Sequence, residues 1–127
     1  MPIPASACRS RSCCSTSSSR SCHATDRLAA FDLVGLGAFS AHLQAAQAAL
    51  AVAVLASGTP TVTVALRTRW DLLAFPSATT HVCRYGMLPP TTEALARALV
   101  GEVPFEGRLP VGIPGLHERG HGLTGRA

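Results

Sequence analysis

Two short β-prone runs flank one alanine-rich helical stretch, and this spacing constrains the fold more than any other feature of the sequence. Asp32-Leu33-Val34-Gly35-Leu36-Gly37 is a brief apolar run ending in glycines, and Thr61-Val62-Thr63-Val64-Ala65-Leu66 alternates β-branched residues. Between them, residues 41–57 hold Ala, Leu and Val with no Pro or Gly, and Gly58 and Pro60 follow directly. Ser40 is placed to act as N-cap and Gly58 as a left-handed C-cap, with Pro60 blocking any continuation. Leu43, Leu50 and Val54 recur at helical spacing as the buried stripe, and Gln44 and Gln47 fall elsewhere on the surface. Strands joined through such a helix cannot form a hairpin. They pair in parallel, with the helix packed on the sheet. A membrane span is excluded, because the uninterrupted apolar run from Ala48 to Ala56 is 9 residues, against the roughly 20 needed.

Downstream, Arg67 to Ala74 reads as a loop entering a short helical turn closed by Pro76, and residues 79–85 read as another strand ending at Gly86. Pro89 and Pro90 precede a helix predicted over 92–100, with Thr91 as N-cap and Glu93 in its first turn. Leu95 and Leu99 mark its buried face and Gly101 its end. The stretch through Ile113 is extended and punctuated by proline and glycine. The expected fold is therefore α/β: a partial three-layer α/β/α sandwich on a mostly parallel sheet. Three or four strands make only part of an ordinary doubly wound domain, so the chain reads as part of something larger, with an unpaired strand edge.

Residues 1–26 are of another kind. Eight are Ser and four are Cys, with no apolar cluster. Such a segment cannot bury enough surface to offset its ordering entropy and is expected to be disordered, or to be an out-of-frame translation. It lacks the apolar core of a secretory signal, which leaves a cytoplasmic location as the default. Cys8, Cys13, Cys14 and Cys22 with His23 lack paired-ligand spacing for zinc. The division is thus a 1–26 segment and a 27–127 domain. All 11 basic residues are Arg. Residues 1–25 hold three Arg and no acid, while residues 26–127 hold eight Arg against seven acids, a net +1. A body this close to neutrality argues against a nucleic-acid surface.

Several residue patterns suggest chemistry and fall short of it. His117-Glu118-Arg119-Gly120-His121 matches H-E-x-x-H, which needs both His on one helical face, but Pro114, Gly115, Gly120 and Gly122 oppose a helix there. Gly35-x-Gly37 is a fragment of a phosphate loop whose third glycine is replaced by Ser40, so no cofactor is expected. His81 and Cys83 face one side of a predicted strand, either as a Cys/His nucleophile pair or with Cys83 as a small buried thiol. The carboxyl ends of the strands, where ligands gather in open α/β sheets, offer Arg67, Asp71, Arg84 and Tyr85, with an Arg67–Asp71 ion pair expected to pin the loop. Glu102 and Glu106 flank Pro104 without converging.

The stretch from Val64 is more specific than these motifs. ALRTRWDL after a strand, YG followed by PP, EALARALVGE, and GRLPVGIPGL running into RGHGL occur in order. Together they resemble the C-terminal end of family 3 glycoside hydrolases, the two-domain bacterial β-N-acetylhexosaminidases in particular. The resemblance runs from Phe31 to Leu123. It implies the end of an α/β sandwich domain that in the family follows a (β/α)8 barrel. There the Asp nucleophile and a His–Asp acid/base pair lie in the barrel, the pair on a loop with a Lys-His-Phe-Pro-Gly-type motif. No such motif occurs here, and a barrel takes about 250 residues. The acid/base Glu that the second domain supplies in family glucosidases has no matching motif at Glu93, Glu102 or Glu106. The strand at 61–66 departs from the family by alternating Thr with Val, which points to partial exposure or to sequence decay.

The resemblance thus implies a non-catalytic structural domain of a β-N-acetylhexosaminidase that removes terminal N-acetylglucosamine from peptidoglycan or chitin fragments by double displacement. Its partner is the barrel, and it meets carbohydrate only through that barrel. No catalytic, cofactor or metal residue is assigned, and neither nucleic acid nor membrane is expected as a partner. The alternative is a stand-alone flavodoxin-like module binding a small molecule or a protein at its strand ends.

Overall fold

A computed structural model describes residue 25 and residues 27–123; the Ser- and Cys-rich expectation for residues 1–26 falls almost wholly outside the described residues. Among the described residues the sheet has three strands, β1 (Val34–Ala38), β2 (Thr61–Ala65) and β3 (Thr80–Cys83), in the order β1-β2-β3. All pairings are parallel, with Leu36 opposite Thr63 and Thr63 opposite His81. The chain is α/β, as the strand–helix–strand spacing requires. Helix α1 (Ala45–Ala56) joins β1 to β2, a 3-10 segment Arg69–Ala74 lies between β2 and β3, and helix α2 (Pro89–Leu99) follows β3.

The central strand carries the burial: Thr63, Val64 and Ala65 are all inside. The partial exposure expected from its Thr–Val alternation is found only at Thr61 and Val62. Thr63 tolerates full burial because its hydroxyl donates to the Thr80 carbonyl (2.9 Å), so no polar atom is stranded. Around it Ala38, Ala41, Ala51, Leu72, Phe75 and Ile113 form one core cluster. Small residues let α1 and the 3-10 segments approach the sheet closely, and Phe75, wholly buried, fills the centre.

Both helix starts differ from expectation. Ser40 does not cap a 41–57 helix. It takes the left-handed conformation (φ 54°, ψ 40°) and its side chain makes no cap hydrogen bond. A 3-10 turn Ala41–Leu43 follows, and α1 begins only after an extended Gln44. The break throws Leu43 into solvent, 77% exposed, so the buried stripe runs through Ala51 and Val54 instead. Gln47 is not a bystander, since its Oε1 accepts the Phe39 N–H (3.0 Å) and ties the exit of β1 to the helix. Gly58, with φ +79°, ends the helix as expected.

Helix α2 starts at Pro89, three residues earlier than predicted, with both prolines in its first turn, where a missing N–H costs nothing. Thr91 therefore lies inside the helix rather than capping it, and Glu93 lies beyond the first turn. Ala98 is buried, Leu95 half-buried and Leu99 exposed, so the Leu95–Leu99 face is only partly covered. Gly101 (φ +78°) ends it.

Among the described residues after α2 there is no strand. Residues 107–109 lie against 120–122 through Leu109 N–H to His121 O and Gly120 N–H to Leu109 O, both 2.8 Å. The enclosed strap, residues 109–121, is folded back on itself at the Ile113–His117 bridge and anchored by the buried Ile113 side chain. A Cβ on Gly122 would overlap the Gly107 carbonyl oxygen, so only glycine closes the strap at that point.

Candidate functional site

Three segments bring polar side chains together at the carboxyl ends of the strands. The 3-10 turn after β1 supplies His42, the turn after β2 supplies Thr68, Arg69 and Asp71, and β3 with its exit supplies His81, Cys83 and Tyr85. Asp71 is wholly buried, and its Oδ1 accepts from His42 Nδ1 at 3.0 Å and from the Thr68 hydroxyl at 3.5 Å. The expected Arg67–Asp71 ion pair does not form. Asp71 pairs with His42 instead, and the Arg67 guanidinium lies over the Phe39 ring, 5.4 Å from its centroid. The reason is the unpredicted turn at Ala41–Leu43, which swings His42 over the Arg69–Ala74 segment. Arg69 lies over Trp70 at 4.6 Å.

His81 sits at the middle of this group. Thr63 Oγ1 gives its single proton to the Thr80 carbonyl, so within its 2.8 Å contact to His81 it accepts, and His81 Nδ1 is the donor. In the neutral ring, that donation places the proton on Nδ1 and leaves Nε2 bare. Burial holds the His81 pKa below its ordinary value; Asp71 opposes this shift and the His117 imidazole adds to it. Phe75 meets the His81 ring edge-on, with centroids 6.0 Å apart. Among the described residues, three buried atoms here find no hydrogen-bond partner: Arg69 Nε, Asp71 Oδ2 and His81 Nε2. Each such orphan costs about 1–3 kcal/mol, which makes the cluster an expensive way to build a core.

The remaining candidates disperse. His81 and Cys83 do lie on one face, but burial raises the Cys83 pKa, with Tyr85 and Arg69 opposing, so the thiol is not an activated nucleophile. Burial likewise raises the Tyr85 pKa, and Cys83 adds to it. Gly35 and Gly37 sit inside β1, opposite Val62 and Val64, not at a strand-to-helix turn that would cradle phosphate. His117 and His121 are not on a helix. They are brought together by the strap, rings stacked 4.1 Å apart and 12° from parallel. No group of three or more His, Cys, Asp or Glu among the described residues could hold a metal ion. Arg84 serves α2, donating to the hydroxyls of Thr91 (3.3 Å) and Thr92 (2.6 Å). Glu102 pairs with Arg97 at 3.0 Å on the surface. Sequence reasoning had marked Asp71 and His81 singly. It missed His42 and Arg69, for which only their position after parallel strands was a signal.

No protein-family model matches the chain, and no curated protein is significantly similar to it. Among solved structures, it is similar to part of a fungal multi-domain GH3 β-N-acetylglucosaminidase, described as holding a unique GCN5-related glucosamine N-acetyltransferase region. The TM-score is 0.70 at 26% identity, over 75% of this chain. The match spans 11% of the length of that protein. The likeness thus links this α/β unit, at the level of a domain, to a multi-domain GH3 enzyme. Among the described residues, no helix is long and apolar enough to cross a membrane.

Proposed function

We propose that this chain is a non-catalytic part of the α/β domain of a family 3 β-N-acetylhexosaminidase, acting beside a (β/α)8 barrel that carries the nucleophile. The complete enzyme would remove terminal N-acetylglucosamine from peptidoglycan or chitin fragments by double displacement. One observation carries the reading: the 0.70 TM-score match at 26% identity is to a GH3 β-N-acetylglucosaminidase, the same enzyme class as the ordered motifs from Ala65 to Leu123 resemble. Among the described residues, the wholly buried carboxylate Asp71 is engaged by His42.

The test is the purified chain with 4-nitrophenyl N-acetyl-β-D-glucosaminide. No nitrophenolate release above the blank is expected, and release that persists after further purification overturns the reading. Translating the DNA upstream of Met1 gives the positive arm, in which a barrel bearing a Lys-His-Phe-Pro-Gly-type loop is expected. The description of the neighbour favours a second reading, acetyl transfer to glucosamine, and it is checked by incubating the chain with acetyl-CoA and glucosamine. Acetylated product supports that reading and removes the first.

A further inference from the structure

The strap holds two imidazoles face to face with no carboxylate to neutralise them. The His117 and His121 ring centroids are 4.1 Å apart and the ring planes lie 12° from parallel. His117 is half-buried and His121 exposed. Among the described residues neither ring forms an ion pair, although Glu118 stands between them in sequence. From the facing segment Arg108 donates to the Gly120 carbonyl (3.2 Å), which sets a second cation beside this arm, and Glu118 and Arg119 belong to the arm itself. On the sheet side His117 acts electrostatically on His81, whose burial disfavours its own charge, and the Asp71 carboxylate behind His81 is engaged by His42.

A neutral imidazole stacks on another imidazole or on one imidazolium, but two imidazolium rings in this arrangement repel. At about 4 Å they lie well inside the Debye length of about 10 Å, so salt screens them weakly. Charging both rings weakens the stacked form about fivefold even at full water screening, and more where water is partly excluded. Little else holds the arm of residues 118–123 to residues 107–109: the Leu109 N–H to His121 O and Gly120 N–H to Leu109 O bonds, and the Arg108 contact. The turn before the arm is held separately, by Ile113 N–H to His117 O (2.7 Å), His117 N–H to Ile113 O (3.0 Å) and the buried Ile113 side chain. We propose that residues 118–123 are an acid-sensitive latch, closed on residues 107–109 while the stacked pair holds one proton or none and released when both rings are charged, with Ile113 remaining in the core. Release carries His121 away from His117 and frees the Leu109 and Gly120 amides without opening the turn at Ile113. The latch is independent of the barrel and of any glycosidase role.

The experiment is NMR on the full chain at about pH 7.5 and about pH 4.5, on either side of the ordinary histidine range. A nuclear Overhauser contact between the His117 and His121 rings is expected at the higher pH and its loss at the lower. Amide-exchange protection at Leu109 and Gly120, corrected for the intrinsic pH dependence of exchange, should fall about fivefold or more over the same interval, while Ile113 stays protected. In His121→Gln, an exposed position that leaves one imidazole in the strap, protection at Leu109 and Gly120 should change by less than about twofold over that interval. A ring contact absent at the higher pH, or one that persists when both rings are charged, overturns the proposal. So does an equal fall in His121→Gln, or a loss of protection at Ile113 in step with the arm, which assigns the change to unfolding of the whole chain.

Discussion

Helices α1 and α2 are nearly equal in length, 12 and 11 residues, and are held by opposite means. α1 is apolar almost all round and has no side-chain cap at its start, yet it buries Ala51 and Val54 against the sheet and the preceding turn. α2 is amphipathic and locally well fastened: Thr91 and Thr92 hydroxyls donate to the Leu88 carbonyl, and Arg84 donates to both. Its apolar face nonetheless stays largely open, with Leu99 42% and Val100 72% exposed. An amphipathic pattern reports which face wants a partner. It does not report whether this part of the chain supplies one. Among the described residues, β1 and β3 are the outer strands of the sheet.

The comparison can be broken at its strong side first. Phe75→Ala removes the largest wholly buried side chain, and a loss of about 3–5 kcal/mol is expected in a urea melt; a loss under about 1 kcal/mol means the core does not centre on Phe75. Gly122→Ala sets a methyl against the Gly107 carbonyl, and about 2 kcal/mol or more should be lost, with faster amide exchange at Leu109 and Gly120. Unchanged exchange there separates the strap from its base. In α1, Val54→Ala should lose about 2 kcal/mol.

A smaller effect comes from pH. The folded protein holds the His81 pKa below the ordinary 6.5 through burial, so the unfolded chain takes up the proton first. The contribution is complete above pH 6.5 and declines as pH falls from there toward the lower folded value. The melting temperature should therefore drop on acidification below pH 6.5, and His81→Gln should flatten that slope; an unchanged slope assigns it to other groups. Smallest of all, Leu99→Ala on α2 should cost under about 0.5 kcal/mol. A cost matching that of Val54→Ala would mean the open face of α2 is covered in solution.

Much of the framework was legible in the sequence because it rests on local rules. The glycine stops at Gly58 and Gly101 and the strand–helix–strand order need only propensity and chain reach. The helix starts were not legible, because Ser40 and Thr91 carry cap-forming side chains that a left-handed turn and a pair of helical prolines override. The candidate site was legible only in halves. Asp71 and His81 stood out as a strand-end acid and a strand imidazole, but the link to His42 depends on a 3-10 turn with no signature of its own.

The sequence by itself determined a parallel α/β unit, since a helix of that length between two β-prone runs allows no other pairing. It also ruled out a helical metal motif at His117–His121, because glycines and proline forbid the helix. Tertiary structure alone decided that Asp71 is buried, which proton His81 carries, and that the strap folds back near both. Those facts depend on residues from His42 to His117 meeting at one end of the sheet. Such meetings are fixed by packing and by the satisfaction of buried hydrogen bonds, and no local propensity encodes them.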